Sequence, residues 1–326
     1  MDNNSIDVSV YMLTYYHERY VRQAIESVLK QKTHYRYELV ISDDCSKDKT
    51  SEIIMEFQKN YPNCIRVNIN DSNMGIVMNI YKARTLCKGK YIVGIAGDDY
   101  WINENKIEEE TSFLENHSKY VAVCNMVELR MDDNPFPYDI VPRSKLKANK
   151  EYTIRDYENC KPLGMHGFMM RNYFLTEEGR NYFRQSQMIS KYVDDAVDEL
   201  LILKKGPIYV MGIITDAHRV FSTTDGKDNY NARYSRLEKL NQHISLLNGM
   251  NSLWGKDINF ANWYIKAYAT GLLCMIKDGD FLGYRPMLRQ IIGEVRKISN
   301  RGVFIRILGS IIQISFERFR RLFFVR

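Results

Sequence analysis

The first hundred residues alternate between short apolar runs and amphipathic segments, and this alternation restricts the fold more than any other feature. Runs rich in β-branched and aromatic residues predict four strands, at 8–13, 37–42, 65–69 and 91–96. Between them, apolar residues recur every three or four positions and predict three helices, at 20–30, from 46 onward and at 76–87. Short connections between alternating strands and helices indicate a doubly wound, mostly parallel α/β sheet. Such connections are right-handed, so the carboxyl ends of the strands share one edge.

Two of the predicted strands end in paired carboxylates. Tyr91 to Ala96 is continuously apolar, as expected of a strand covered on both faces, and Gly97 then leads into Asp98 and Asp99. Open α/β sheets bind their ligands at this edge. Neighbouring carboxylates repel each other unless a cation or hydrogen-bond donors compensate them, and a divalent metal bridging one of them to a diphosphate would do so. The alternative is an Asp-Asp turn that caps the following helix.

After residue 100 the sequence pattern predicts further strands and helices, and beyond residue 230 it predicts helices alone. Further strands are predicted at 120–130, 167–171, 207–211 and 217–221, and helices at 103–116, 173–183 and 192–204. The segment 131–150 is rich in Pro, Asp, Lys and Asn and predicts a long surface loop, a candidate lid. After a polar linker at 223–230, helices are predicted at 235–247, 259–277 and 283–298. We therefore divide the chain into a catalytic domain, 1–222, a helical region, 223–300, and a basic amphipathic helix, 301–326.

Composition excludes several classes of protein. The 326 residues carry a net charge of +6, but the C-terminal arginines alternate with large apolar residues, so we expect no nucleic-acid partner. The six cysteines are scattered without a CxxC pair, which favours reduced thiols in the cytoplasm. We expect no signal peptide, because the N-terminus has neither a basic nor an apolar region. We also expect no spanning helix, because no apolar run approaches about twenty residues.

Four short motifs mark the ends of the predicted strands in the first half of the chain. They are Val8-Ser9-Val10-Tyr11-Met12-Leu13-Thr14-Tyr15-Tyr16, a D-D-x-S-x-D-x-T run at 43–50, an N-x-G-x-x-x-N element at 73–79 and the acidic pair Asp98-Asp99. Together they resemble glycosyltransferase family 2, whose catalytic domain has the Rossmann-like GT-A fold. In that family the first strand usually reads V-S-V-I-I-P-T-Y-N and the acidic pair binds a metal. Leu13 replaces the usual Pro, and the acidic pair runs directly into Tyr100-Trp101. The resemblance is specific from about 8 to 116 and looser to about 221.

The resemblance implies a nucleotide-sugar donor, most simply a UDP-sugar, bound at the strand ends. Asp44 would accept a hydrogen bond from the uracil ring, Tyr15 would form a wall for the base, and Asp98 would hold a ribose hydroxyl. Asp99 would bind Mn²⁺ or Mg²⁺ on the diphosphate. The full set of predicted donor-binding residues is Thr14, Tyr15, Glu18, Asp44, Asn73, Asn79, Asp98 and Arg219.

Family members also carry an acidic pair that opens a helix and supplies the catalytic base. Here Asp194-Asp195 precedes an apolar helical run, and we predict Asp195 as the base, with Asp194 as its substitute. A carboxylate there takes the proton of the attacking sugar hydroxyl in a single displacement, which inverts the anomeric centre. The alternative is that the two acids merely complement the helix dipole.

Two further candidates come from the region after residue 160. The family often has a Y-R-x-H segment after its last core strand, and here Arg219 matches the arginine while Phe221 stands where the histidine would fall. We predict that Arg219 binds the diphosphate and that His218, facing the other side of its strand, is structural. His166, in a Gly-rich segment, would lie near the acceptor or else be an ordinary structural histidine.

The last 26 residues, 301–326, combine arginines with regularly spaced apolar residues. This pattern fits a helix lying on an anionic membrane, and equally a helix docked on a partner or on the core. By analogy with the family, we expect a glycan or lipid-linked glycan acceptor in surface polysaccharide synthesis and a peripheral position at the inner face of the plasma membrane. The sequence leaves a homo-oligomer open. The alternatives are a sugar nucleotidyltransferase, disfavoured because 13–18 contains no Gly, or a non-catalytic nucleotide- or glycan-binding module.

Overall fold

The structure, a computed structural model, describes residues 5–131, 136–141, 148–163, 168–189, 195–221, 234–298 and 306–314. These residues form two compact units, which are considered separately. The first contains residues 1–153 and 163–220, and the second contains residues 154–162 and 221–326.

The first unit is built on one mixed sheet of the described strands, in the order β3-β2-β1-β4-β9-β6-β10-β5. The strands are β1 (Val8–Thr14), β2 (Tyr37–Asp43), β3 (Ile65–Ile69), β4 (Tyr91–Ala96), β5 (Tyr100–Trp101), β6 (Ala122–Met131), β7 (Pro137–Val141), β8 (Lys150–Tyr152), β9 (Phe168–Arg171) and β10 (Ile208–Val220). β1 to β4 pair in parallel, as do β6 and β10, whereas β9 runs antiparallel between β4 and β6. The predicted α/β fold with a mostly parallel sheet is confirmed.

Amphipathic helices connect these strands. They are α1 (Val21–Leu29), α2 (Thr50–Asn60), α3 (Ile76–Leu86), α4 (Lys106–Asn116), α6 (Glu177–Ile189) and α7 (Asp195–Leu203). Valine, isoleucine and alanine on α1 are fully buried against apolar residues of β1, β2 and β4, which form the core of the sheet. Burial of this kind, roughly 1.5–3 kcal/mol for each large apolar side chain, is what holds such helices on a sheet.

Two sequence predictions fail in this unit. The predicted loop at 131–150 contains the strand β7, which pairs antiparallel with β6 through Val127 to Arg130. Its first residue, Pro137, lacks an N–H group, and such residues are tolerated at the start of an outer strand. The strands predicted at 207–211 and 217–221 form one strand, β10, which continues through register shifts between Val210 and Asp216.

The second unit is helical in its described part. It contains α5 (Ile154–Glu158), α8 (Arg236–Trp254), α9 (Ala261–Asp278) and α10 (Phe281–Ile298), and residues 306–314 are also helical. Ser235 begins α8 with a capping box that includes Glu238. Trp263 donates through its indole nitrogen to the carbonyl of Tyr157, at 2.7 Å, and joins α9 to α5. The predicted C-terminal helices are therefore present, whereas most of 301–326 lies outside the described residues.

All six cysteines carry free thiols, and three of them, Cys87, Cys124 and Cys274, are buried. Within the described helices, none combines the length and the apolar character that crossing a bilayer requires.

Candidate active site

The exit loops of β1, β2 and β4 meet at the carboxyl edge of the sheet. The amide of Asp44 donates to the carbonyl of Thr14 at 2.9 Å, and the amide of Gly97 donates to the carbonyl of Leu13 at 2.8 Å. The side-chain hydroxyl of Thr14 donates to Asp43 Oδ1 at 2.7 Å, in a fully buried contact. Thr14 therefore connects two loops from the interior and exposes only 1% of its surface.

The acidic loop after β2 holds the backbone of the loop after β1. Its side chains accept three consecutive amide protons: Tyr16 N to Ser46 Oγ at 2.9 Å, His17 N to Thr50 Oγ1 at 2.9 Å and Glu18 N to Asp48 Oδ2 at 3.2 Å. Glu18 accepts in return from the amide of Lys49 at 3.0 Å. Tyr16 and Cys45 both have left-handed backbone conformations, with φ of 57° and 65°, which is uncommon for residues other than glycine. Interlocking hydrogen bonds of this kind keep such conformations in place.

Asp44 organises the third loop, which precedes α3. Its buried carboxylate accepts from the amides of Met74 and Gly75, at 2.8 and 2.9 Å, and from Asn70 Nδ2 at 3.0 Å. Gly75 takes a φ of 80°, where glycine is favoured, and α3 begins at the next residue. An ionised carboxylate can accept about four hydrogen bonds, so Asp44 keeps acceptor capacity beyond these three.

Asn79, a predicted donor-binding residue, lies inside the loop framework. Its side chain is 3% exposed and makes hydrogen bonds to neighbouring residues of the protein. Its Oδ1 accepts from Ser42 Oγ at 2.6 Å and from Asn70 Nδ2 at 3.1 Å, and its Nδ2 donates to the carbonyl of Ser42 at 3.1 Å. Asn79 thus supports the Asp44 loop from below. Asn73, in contrast, is exposed and accepts from the amide of Gly75 at 3.0 Å.

The pair Asp98-Asp99 lies where β4 ends, with an imidazole beside each carboxylate. His218 Nδ1 is 2.8 Å from Asp99 Oδ2, and the backbone amide of Arg219 donates to Asp99 Oδ1 at 2.9 Å. His17 Nε2 is 3.9 Å from Asp98 Oδ2. A methyl group at Gly97 would lie 2.6 Å from the Thr14 side chain and 2.8 Å from the His17 ring. The glycine therefore makes room for the β1 loop.

The electrostatics of this pair are unusual for aspartates. Burial, together with the charge of Asp99, raises the pKa of Asp98 above its ordinary value, while His17 and His218 oppose the rise. Burial alone would lower the pKa of His218, but the carboxylates of Asp99, Asp98 and Asp195 outweigh it and raise that pKa to about 9. His218 is therefore a cation at neutral pH. The contribution of Asp195, the first residue of α7, means that this carboxylate lies within electrostatic range of His218.

His218 and Arg219 have the opposite orientation to that predicted. They do face opposite sides of β10, but it is His218 that faces the acidic pair. The guanidinium of Arg219 lies between the rings of Tyr20 and Tyr100, at 4.9 and 4.7 Å from their centroids, and donates to the carbonyl of Asp98 and to Gln23 Oε1. With 4% exposure, this side chain supports the loop from inside, which conflicts with a diphosphate contact.

Other predicted residues are accessible or lie outside the described ranges. Tyr15 is 40% exposed and makes a T-shaped contact with the ring of Tyr16, with 4.6 Å between centroids, so part of its side chain is accessible to a ligand. Asp195 begins α7. Asp194 and His166 lie outside the described residues. Sequence reasoning missed His17, whose signal was its position in an exit loop on the same edge as the acidic pair.

The donor set suits a hard divalent cation. Carboxylates are the preferred ligands of Mg²⁺ and Mn²⁺, and an imidazole is compatible with Mn²⁺. Burial and the charge of Asp99 raise the pKa of Asp98, so its charged form is disfavoured, and a bound cation would favour it. Throughout the described ranges, however, no three His, Cys, Asp or Glu side chains are already arranged to hold a metal ion. Asp99 would have to exchange a present partner for the cation.

A family model describing glycosyl transferase family 2 matches residues 9–178. The chain belongs to this family. It is 32% identical over 128 residues to the putative teichuronic acid biosynthesis glycosyltransferase TuaG of Bacillus subtilis, a match that covers 39% of this chain and 50% of TuaG. The match with the first curated relatives spans 40% of the length of those proteins.

Solved structures of similar fold cover most of the chain. Staphylococcus aureus TarS 1-349 in complex with UDP-GlcNAc has a TM-score of 0.53 at 17% identity, over 89% of this chain and 92% of that one. The mannosyltransferase PcManGT of Pyrobaculum calidifontis, in complex with GDP-Man and Mn²⁺, has a TM-score of 0.51 at 12% identity, over 99% and 89%. At these identities the likeness concerns the fold, and it confirms the predicted GT-A architecture.

Proposed function

We propose that this protein is an inverting, metal-dependent glycosyltransferase that uses a nucleotide-sugar donor, most simply a UDP-sugar. The observation that carries the proposal is the Asp98-Asp99 pair at the carboxyl edge of the sheet, with the imidazole of His218 on Asp99. The electrostatic effect of Asp195 on His218 supports a base at the beginning of α7. Family membership supports the reaction class, and the UDP-GlcNAc and GDP-Man complexes of the two structural neighbours support a nucleotide-sugar donor.

The donor would lie across the exit loops of β1, β2 and β4. The exposed ring of Tyr15 provides a stacking surface for the base, and Asp44 has acceptor capacity for a ring N–H group. Asp98, at the end of β4, is suited to a ribose hydroxyl. Thr14, Glu18 and Asn73 would act through the loop backbones that they fix.

Asp99 would hold the metal ion, which when bound would supply Lewis-acid stabilisation of the leaving diphosphate. His218 would join it as a ligand only after losing its ring proton. Before that, His218 keeps the carboxylate of Asp99 oriented, and the amide of Arg219 fixes its second oxygen. The buried guanidinium of Arg219 anchors the Asp98 backbone from below.

The carboxylate of Asp195 would act as the general base on the acceptor hydroxyl. Asp195 begins α7 and is partly exposed to solvent, so an acceptor hydroxyl could reach it. Deprotonation of the nucleophile as it attacks the anomeric carbon gives a single displacement with inversion. Asp194 remains the substitute candidate for the same role.

The acceptor is proposed to be a glycan or a lipid-linked glycan of a surface polysaccharide, by analogy with the name of TuaG. The amphipathic C-terminal segment, 301–326, would bring residues 1–222 to the membrane surface. In its described part, Leu308 and Ile312 are exposed by 43% and 68%, which supports a surface that contacts lipid.

Calorimetric titration of UDP, with and without Mn²⁺, tests the donor and the metal together. We expect Mn²⁺ to strengthen UDP binding to the wild type, and Asp99→Ala to abolish the effect of Mn²⁺ while keeping the fold. Glu56→Ala, which alters an exposed ion pair with Arg22, serves as a control that should bind like the wild type. GDP in place of UDP identifies a guanine donor. If neither nucleotide binds under any condition, the proposed UDP-sugar donor and its GDP-sugar substitute are both wrong.

A further inference from the structure

The first turn of α7 carries three acids on one face. Asp195, Asp198 and Glu199 follow the i, i+3, i+4 spacing that makes side chains neighbours on a helix. Like charges at this spacing repel each other, so the structure must compensate at least the two that face inward. Glu199 is fully buried, and the Asp198 side chain is 16% exposed.

Each inward acid has a partner on a different element. Glu199 Oε1 accepts from the hydroxyl of Tyr152 on β8 at 2.6 Å, and Glu199 Oε2 accepts from the amide of Leu163 at 3.0 Å. Asp198 Oδ2 accepts from Arg84 Nη1 on α3 at 2.7 Å. The beginning of the helix is thus fixed from two sides, one turn below the proposed base.

Arg84 connects this helix to the centre of the sheet. Its second nitrogen, Nη2, donates to the hydroxyl of Tyr11 on β1 at 3.0 Å, and its guanidinium lies 5.2 Å from the Tyr11 ring centroid. The Tyr11 ring in turn occupies the space beside Gly94 on β4, where a methyl group would lie 2.6 Å from it. β1 and β4 are the strands whose exits carry Tyr15 and the acidic pair. A single buried side chain therefore joins the proposed base helix to both of them.

We propose that Arg84 is a positioning residue for the proposed base, Asp195. By bridging Asp198 and Tyr11 it sets the rotation and height of α7 on the sheet, and hence the place of the Asp195 carboxylate relative to Asp98 and Asp99. The inference rests on the proposed function. It predicts that loosening the bridge harms proton removal from the acceptor and leaves donor binding intact.

Arg84→Lys is the most informative variant. It keeps the buried charge, but an ammonium cannot present two nitrogens in the fixed fork that reaches Asp198 and Tyr11 together. Displacement of a catalytic group by about 1 Å costs on the order of 100-fold in rate, so we expect kcat to fall about 10- to 100-fold. The KM of the donor and the affinity for UDP should change less than about threefold. Tyr11→Phe, which keeps the ion pair, should give a smaller loss in the same direction.

Arg66→Lys is the matched control. Arg66 also makes two contacts across elements, to Glu38 Oε2 at 3.0 Å and to the carbonyl of Leu86 at 2.8 Å, but these involve the beginning of β2 and the end of α3. It should retain wild-type kcat. The assay measures release of the nucleotide, with water as the acceptor, from the UDP- or GDP-sugar that the wild type turns over fastest. Thermal unfolding verifies that each variant is folded, and Asp198→Asn replaces Arg84→Lys if the latter fails to fold.

A double-mutant cycle with Asp195→Asn separates positioning from general destabilisation. If Arg84 acts through the base, Arg84→Lys should cost less than about twofold in the Asp195→Asn background. A full loss in that background, or wild-type turnover of Arg84→Lys beside an impaired Asp195→Asn, overturns the positioning role and leaves the proposed function standing. If Asp195→Asn turns over at the wild-type rate, Asp195 is not the base and this inference fails, while Asp194 stays a candidate within the proposed function. If the wild type releases no nucleotide from any donor, the proposed function fails and this inference fails with it.

Discussion

Two pairs of neighbouring aspartates stand at the same edge of the same sheet, yet their surroundings differ completely. Asp43 and Asp44, after β2, accept hydrogen bonds from hydroxyl groups, an asparagine and backbone amides, which tie the loops together. Asp98 and Asp99, after β4, face imidazoles and each other, and the pKa of Asp98 is raised by burial and by Asp99.

The difference lies in what compensates the charge. Neutral N–H and O–H donors from the protein surround the first pair, so Asp43 acts as scaffold, and Asp44 fixes its loop while keeping acceptor capacity for the proposed donor base. The second pair has titratable partners that can move or exchange, which suits a site for a cation and a diphosphate. The same residue type can therefore serve as structural support or as a ligand-binding group, depending on which hydrogen-bond donors the fold places around it.

The largest effect on stability should come from Asp43→Ala. Asp43 is completely buried and accepts from Thr14 Oγ1 at 2.7 Å, from Ser46 N and Oγ at 2.9 and 2.6 Å and from Ser51 Oγ at 3.1 Å. Its removal leaves buried donors without an acceptor and should lower the free energy of unfolding by about 3 kcal/mol. Urea unfolding measures this loss. An unchanged midpoint would contradict the scaffold role.

Glu110, a buried acid outside both aspartate pairs, can be used to test whether a raised pKa by itself indicates a ligand site. Glu110 on α4 is fully buried, and Lys106 Nζ contacts both Glu110, at 2.6 Å, and Asp216, at 3.0 Å. Burial raises the pKa of Glu110 to about 8, against the opposing effect of Lys106. The folded state thus holds a proton that the unfolded state releases near pH 4.5.

It follows that stability should fall by up to about 1 kcal/mol per pH unit between these two pKa values and level off above pH ~8. Glu110→Gln, which cannot ionise, should flatten this slope without altering UDP binding. Urea unfolding at pH 5, 7 and 9 compares the two proteins. Equal slopes would show that Glu110 is ionised in the folded protein. A raised pKa would then be a property of Asp98 in the candidate site and not of the buried acid Glu110.

The smallest effect, and one of opposite sign to that of Asp43, is expected for Asp98→Asn. Because the fold raises the pKa of Asp98, stability falls as the pH rises from the ordinary aspartate pKa to the raised one and stays lower above it. Removing the charge beside Asp99 should stabilise the metal-free protein at neutral pH by about 1 kcal/mol. A small rise in the thermal midpoint together with weaker nucleotide binding would support a ligand-binding role for Asp98, in contrast to Asp43. A lower thermal midpoint would instead indicate that Asp98 has a structural role like that of Asp43.

Much of the fold could be predicted because its signals are local. The strands at 65–69 and 91–96 match the structure to the residue, and the helix predicted at 76–87 ends one residue earlier. The strand β7 was missed because Pro and Asp are typical of loops, and only pairing with β6 makes 137–141 extended. The strand β10 was divided in two because its register shifts interrupt the apolar pattern that periodicity detects.

The site was predictable in its location and less so in its contacts. Strand exits bearing Asp44 and Asp98-Asp99 can be read from the chain, since parallel strands end at one edge. Asn79 was assigned to the donor because its motif precedes a helix at that edge, but Ser42 and Asn70 satisfy it internally. Which neighbours surround a polar side chain depends on residues distant in the sequence.

By itself, the sequence determined the family, the parallel half of the sheet and the edge at which the polar loops gather, because apolar periodicity and short motifs act over a few residues. It also determined that His218 and Arg219 face opposite sides of their strand. Only the tertiary structure decided which side is the site. β10 lies beside β5, which follows Asp99 directly, so His218 meets the carboxylate while Arg219 is buried between Tyr20 and Tyr100. Alternation along a strand determines that neighbouring side chains point to opposite faces. The packing of other elements determines which of the two faces is the site.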